Sequence, residues 1–431
     1  MRVKEAGADA PFLWSDRYWC GLPLQDMVLY AVHAGLFTPE KTLDAASARL
    51  QELKALGVSG VLLRSRPEAE DPLELKRFVD RSHALGMAAV LDFPALGEGC
   101  NLDGAGSDEV RKQLGAAALR CLSEFRADGL VIEGADELRD LSARPFLEEL
   151  SETVHQFSRK ENRLVYLLAR SRRNNTRLIR QRELGGLGLD AFWSPDFGMA
   201  LGAALGAPSR TGTDFDGIAP LAEALRNGYT FSGQYSGIHG RSHGVPPGGA
   251  PPRRFVVAWQ DESLPGVGQE RPSSYLSRQA QKLAAGALLL SPFLPVLYMG
   301  EEYGEKAPYG SPISWQLRED EPLLKHYRRL LKLRREHPAF KDGSHDPSRV
   351  ADYKEQCVVT LLRSGPEGAV FAAFNFSDLP VDSKLAVPQG GWRLLLDSAE
   401  QPAAAKALGG GREVGLTLPA KSFALYERAS A

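Results

Sequence analysis

Val58-Ser59-Gly60-Val61-Leu62-Leu63 is followed by a polar break at 64–71, a helical pattern at 72–85 and then Ala88-Ala89-Val90-Leu91-Asp92-Phe93. Two short apolar runs bracketing one amphipathic segment form a strand–helix–strand unit. The alternation continues in both directions. Further apolar runs at 27–33, 129–132, 163–168, 189–193, 255–259 and 295–299 bring the candidate buried strands to eight. Segments such as 43–56 and 108–125 carry apolar residues at helical spacing between them. Eight such units predict an α/β fold, a (β/α)8 TIM barrel. A last helix is expected over 322–335, where Leu323, Leu324, Tyr327, Leu330 and Leu331 make a broad apolar face before His337-Pro338 stops it. Period-two runs at 356–362, 369–376, 392–397, 414–418 and 423–427 then predict a small antiparallel all-β C-terminal domain. The expected organisation is an N-terminal extension 1–26, a barrel 27–337 and a C-terminal β-sandwich domain 338–431.

Composition narrows the function classes. The chain has 431 residues, 43% of them hydrophobic, with 52 Lys and Arg against 54 Asp and Glu in no long single-sign block. That balance argues against a nucleic-acid partner or a membrane surface and suits a neutral partner such as a carbohydrate. Cys20, Cys100, Cys121 and Cys357 are widely spaced and read as reduced, buried thiols, with no metal and no cofactor implied. The first eleven residues lack a secretory apolar run, and Pro292 and Pro295 interrupt the apolar stretch 283–299. A soluble, cytoplasmic protein without a membrane span is expected.

Active sites of such barrels lie at the C-terminal strand ends. Those ends carry Asp92, Glu133 with Asp136, Arg170, Asp196, Asp261-Glu262 and Glu301-Glu302. A ring of carboxylates suits glycoside hydrolysis, which needs one carboxyl as acid and another as nucleophile or base. It equally suits a structural ring of salt bridges.

The stretch 190–309 resembles the alpha-amylase superfamily, glycoside hydrolase family 13, and within it the maltooligosyltrehalose trehalohydrolases. The likeness is carried by Asp190-Ala191-Phe192-Trp193 with Asp196-Phe197, Gly233-Gln234-Tyr235-Ser236, Gly240-Arg241 with His243-Gly244, and Tyr298-Met299-Gly300-Glu301-Glu302-Tyr303-Gly304. A weaker likeness extends back to His33 and forward through Arg334-Arg335-Glu336-His337-Pro338. The resemblance also implies that the N-terminal β domain usual in this subfamily is missing.

Departures from the family pattern fall where its chemistry sits. Asp92 is kept, but Leu96 and Gly97 stand at the positions of an asparagine and a sugar-holding histidine. Val131 and Glu133 stand for the arginine and the nucleophilic aspartate, Arg170 for the general-acid glutamate, and Gln260-Asp261-Glu262 for asparagine, histidine and a transition-state-stabilising aspartate. Glutamate for aspartate at the nucleophile shifts the carboxylate, and misplacement on the order of 1 Å can cost roughly a hundredfold. Arg170 stays protonated near neutral pH and cannot cycle a proton to a leaving oxygen.

The resemblance with these losses implies a catalytically inactive member that binds an alpha-glucan, a maltooligosaccharide or a protein partner. An active alpha-glucan hydrolase or trehalohydrolase, and an interaction protein with no sugar binding, are the alternatives. Candidate sugar-binding residues are Asp92, Trp193, Asp196, Tyr235, Arg241 and His243. Trp259 is expected to fill a former subsite, and Tyr298 and Met299 to be barrel core. The run Arg170, Arg172, Arg173, Arg177, Arg180 and Arg182 reads as a solvated helix face, with a phosphorylated ligand as the alternative. Arg170 is expected to pair with Glu133 or Glu262.

Overall fold

The computed structural model describes residues 11–93, 102–207, 213–262, 264, 270–315, 322–341, 346, 349–399, 404–411 and 413–429. Its eight parallel strands are β1 Leu29–Val32, β2 Gly60–Leu63, β3 Ala88–Asp92, β4 Gly129–Ile132, β5 Tyr166–Arg170, β6 Ala191–Trp193, β7 Phe255–Val257 and β8 Leu294–Tyr298. They close into a barrel in which β1 pairs with both β2 and β8, Leu29 lying opposite Gly60 on one side and Val296 on the other. Every residue of β1, β2, β4 and β8 is buried. One strand face fills the barrel and the other meets helices, so unbroken apolar runs replace polar–apolar alternation.

Besides a single helical turn at Ala34–Phe37, the helices among the described residues are α1 Leu43–Leu56, α2 Pro72–Ala84, α3 Ser107–Ser123, α4 Phe146–Glu161, α5 Asp196–Ala204, α6 Ala219–Asn227, α7 Arg278–Leu290 and α8 Pro322–Glu336. Their starts are encoded locally. Thr42 accepts the Ala45 amide, Ser277 accepts that of Ala280, and Asp71 accepts those of Leu73 and Glu74 ahead of Pro72. Among the described residues no helix is long and apolar enough to cross a membrane.

The expected solvated helix face over 170–182 is not a helix. Only the short 3-10 turns Thr176–Leu178 and Arg182–Leu184 occur there. Asn174 takes a left-handed φ of 50°, and the amides of Leu187 and Leu189 bond back to the carbonyls of Arg177 and Leu178, folding the segment on itself.

After the barrel, a six-stranded antiparallel sheet runs in the order Val350–Tyr353, Val358–Gly365, Gly368–Asn375, Ser422–Arg428, Gly391–Asp397 and Ala407–Gly409. Val381–Ala386 and Glu413–Leu418 form a separate antiparallel pair. The strands at 350, 381 and 407 were not among those expected from periodicity. The sheet packs closely on α7: a Cβ added at Gly286 would stand 2.3 Å from the Phe423 ring. Arg363 on the sheet also donates to the Ser291 carbonyl at 2.9 Å.

Residues 11–26 cross the opposite, N-terminal end of the barrel. Asp128, just before β4, accepts the Trp19 indole N–H at 2.8 Å and the Ala89 amide at 2.8 Å. His83 bridges the two segments, with Nδ1 2.7 Å from Asp16 and Nε2 2.9 Å from Asp128, and Trp19 stacks on its ring. The same crossing exposes Cys20, so that thiol is not buried as expected. Cys121 is buried, Cys357 is intermediate, and Cys100 lies outside the described residues.

Burial works against a charged His83, but hydrogen bonds to Asp128 and Asp16 outweigh it and raise its pKa above the ordinary 6.5. Its contribution to stability is therefore complete below 6.5 and is lost as pH rises through the elevated native value. Urea unfolding across this range should show wild-type stability falling with rising pH, and His83→Gln should flatten that slope. An unchanged slope in the variant would refute the bridge.

Candidate functional site

Every barrel strand ends at one rim, and charged side chains meet there. Arg64, which follows β2, places Nη1 2.7 Å from Glu133 Oε1 and 3.2 Å from Asp92 Oδ1. Arg170, the last residue of β5, reaches Glu133 Oε1 at 3.2 Å with one nitrogen and Asp261 Oδ2 at 3.0 Å with the other. Its guanidinium also lies 4.4 Å from the centre of the Trp193 ring. Both arginines are buried, and Glu133 is half exposed. The result is a chain of alternating charge, Asp92–Arg64–Glu133–Arg170–Asp261. Glu262 stands outside it, accepting the Tyr298 hydroxyl at 3.0 Å with His33 Nε2 at 3.5 Å.

The expected pairing of Arg170 is thus met by Glu133, while Asp261 takes the place expected of Glu262. Tyr298 is buried, yet its hydroxyl serves the rim rather than being only core. Trp259 does not fill the mouth. Its indole N–H turns to the Tyr327 hydroxyl on α8 at 3.3 Å, behind the barrel wall. Sequence reasoning missed Arg64 and His33 because it read the strand ends only from the third strand onward, and the Tyr298 hydroxyl because it took that residue for core. Reading all eight ends, and for phenols as well, would have found all three.

The other candidates divide by accessibility. Trp193 is buried beneath Arg170, so that face of its ring is already covered. Asp196 is buried and accepts Asn174 Nδ2 at 2.7 Å and the amides of Thr230 and Phe231. Buried His243 lies 2.8 Å from the Arg172 carbonyl and stacks on His239 with ring centres 3.9 Å apart. These contacts fix the hairpin of Tyr235–Ser236 and Arg241–Ser242 over the ends of β5 and β6, where Tyr235 and Arg241 are exposed. Asp136 lies 3.4 Å from Arg173. Leu96 and Gly97 lie outside the described residues.

Burial raises the Asp92 carboxyl to about 6 although Arg64 pulls the other way. Burial also pushes Glu262 upward, but bonds with His33 and Tyr298 bring it below its ordinary value. Behind the rim, Glu301 accepts the Tyr327 hydroxyl at 2.9 Å, and Glu302 accepts the Tyr30 hydroxyl through both oxygens. Burial lifts Glu301 to about 8. Among the described residues no group of three or more His, Cys, Asp or Glu is placed to hold a metal ion.

A closed parallel barrel with paired acids and bases at its mouth, followed by antiparallel β-sheets, defines a TIM-barrel protein with a C-terminal all-β region. The sequence is 31% identical to a malto-oligosyltrehalose trehalohydrolase of Rhizobium sp. (strain M-11) over 90% of this chain and 77% of that protein. It is 35% identical to that of Arthrobacter ramosus over 71% of this chain and 62% of the relative. Among solved structures, a putative alpha amylase from Salmonella typhimurium superposes with a TM-score of 0.80 at 24% identity, covering 97% of this chain and 84% of that one. The alpha-amylase of Geobacillus thermoleovorans, solved with acarbose, gives 0.68 at 16% identity, covering 94% and 99%. No protein-family model matches the chain. The chain belongs to the alpha-amylase superfamily, glycoside hydrolase family 13, and is related within it to the malto-oligosyltrehalose trehalohydrolases.

Removing Arg170 takes away the ion-pair partner that stands 3.0 Å from the buried Asp261 carboxylate. Arg170→Met should lower the unfolding free energy by about 3 kcal/mol, and adding Asp261→Asn should recover part of it. A loss under about 1 kcal/mol in urea titrations would mean that water screens these pairs. For Asp92, the native carboxyl holds its proton up to about 6 and the unfolded one only to 3.8. Stability should therefore rise as pH falls through that window. The side-chain carbon resonance of Asp92 should titrate near 6, and Asp92→Asn should abolish its share of the pH dependence.

Proposed function

We propose that the chain is a non-catalytic relative of the trehalohydrolases that binds an alpha-glucan or maltooligosaccharide at the barrel mouth. One observation carries this reading. Arg170 stands where the family resemblance places the general acid, and its guanidinium is held between Glu133 and Asp261. A permanently protonated group cannot deliver a proton and take it back, and Glu133 is tied by two arginines rather than free to attack an anomeric carbon. The exposed Tyr235 and Arg241 on the hairpin offer a stacking face and hydroxyl donors for a neutral sugar. Residues 27–337 form the sugar-binding unit, 338–431 a separate β domain, and the location is cytoplasmic under this proposal.

An active hydrolase is the second reading, favoured by the Asp92 carboxyl at about 6, which holds a proton nearer neutrality than an ordinary aspartate. Incubation with maltooligosyl trehalose and with maltooligosaccharides separates the two. Calorimetric binding with no release of trehalose or glucose is the expected result. Product formed at a rate abolished by Glu133→Gln would establish the hydrolase instead. Absence of binding at about millimolar sugar would leave a protein partner as the occupant of this face.

A further inference from the structure

A cavity of about 470 Å³ opens at the end of the barrel opposite the mouth. Its walls include five cationic side chains, Lys54, Arg253, Arg334, Arg335 and Lys341, against one carboxylate, Asp26. The two buried arginines are fixed by backbone oxygens. Arg253 donates to Phe293 O at 3.1 Å and Phe340 O at 2.8 Å, and Arg334 donates to Leu289 O at 2.6 Å and Ser291 O at 2.7 Å. Carbonyl oxygens solvate a guanidinium but do not cancel its charge. Lys54 donates to Gly86 O at 3.2 Å, and Arg335 has a surface carboxylate, Glu336, at 2.9 Å. Burial and the neighbouring Arg335 push the Lys54 ammonium below its usual pKa, so the cluster holds its charge against an electrostatic cost that an anion would relieve. Met27, Leu331 and Phe340 give the same cavity an apolar wall.

We propose that this cavity is a binding site for a small organic phosphate, whose charged group meets Lys54, Arg335 and Lys341 and whose carbon skeleton lies on the apolar wall. The size falls within the range of small-molecule sites. The site is separate from the mouth and does not rest on the sugar-binding reading.

Calorimetry on the full chain with glycerol 3-phosphate tests it, with glycerol and inorganic phosphate as controls and saturating maltotriose present in a parallel titration. Glycerol 3-phosphate should bind more tightly than inorganic phosphate, glycerol should give no signal, and maltotriose should change nothing. The double variant Lys54→Met, Arg335→Gln should weaken binding at least about tenfold, and added salt should weaken it in the wild type. If the double variant does not fold, the exposed Lys341→Met, expected to weaken binding several-fold, decides. No binding to the wild type at about 10 mM probe, or unaltered affinity in the folded variant, overturns the proposal. Equal affinity for inorganic phosphate overturns its organic part, and displacement by maltotriose would move the site to the mouth.

Discussion

Closure of the parallel ladder between β1 and β8 is the constraint from which the site follows. Once Leu29 is paired to both Gly60 and Val296, no barrel strand has a free edge, and the residue after each strand has nowhere to go but the common rim. Arg64, Asp92, Glu133, Arg170 and Asp261 are spread over nearly two hundred positions of sequence, yet they are linked through successive contacts of 2.7–3.2 Å. The barrel makes this convergence unavoidable. What the sequence chooses is the sign of each charge.

That choice is constrained in turn by desolvation. A lone guanidinium at the position of Arg170 would be held out of water by the Trp193 ring and the barrel wall. Glu133 and Asp261 remove the penalty, and Arg64 then balances Glu133 and Asp92. Such a network adds little net stability over an apolar filling, but breaking the Arg170–Asp261 link takes a partner from two buried charges at once. An arginine at position 170 is therefore not a local feature. A guanidinium there calls for an acid elsewhere on the rim positioned to receive it, and Asp261 after β7, two strands on from β5, is that acid.

Much of the fold could be read because it depends on periodicity. The eight apolar runs and the stop at His337-Pro338 are short-range signals, and each lies at or near an element of the fold. The weaker strands at 381–386 and 407–409 escaped notice because they are short or largely exposed. At the site, the acids at the strand ends could be listed but not their partners. A side chain's direction along a strand end is set by packing: Trp259 was free in sequence to point into the mouth, and the Tyr327 hydroxyl on α8 draws it outward. Asp196 and His243 look like ligand contacts on paper, but the hairpin they anchor needs their hydrogen-bonding capacity.

The two ends of the barrel handle charge in opposite ways, and the contrast bears on what each can hold. At the mouth, Arg64 and Arg170 meet carboxylates within 3.2 Å, so the field beyond that part of the rim is that of closely spaced opposite charges and falls off quickly. A neutral ligand with many hydroxyls loses little by approaching such a surface. At the far end, His83 is satisfied by Asp16 and Asp128, but the neighbouring cavity is different: Arg253 and Arg334 meet only carbonyl oxygens among the described residues. Carbonyl dipoles fix a cation's position and leave its monopole intact, and with Glu336 on Arg335 and Asp26 in the wall the five cations still leave a net positive field in the cavity. A ligand drawn there must carry negative charge, whereas one drawn to the mouth need not. The same barrel thus presents two chemically distinct faces: Arg64 and Arg170 at the mouth end on carboxylates, Arg253 and Arg334 at the far end on backbone.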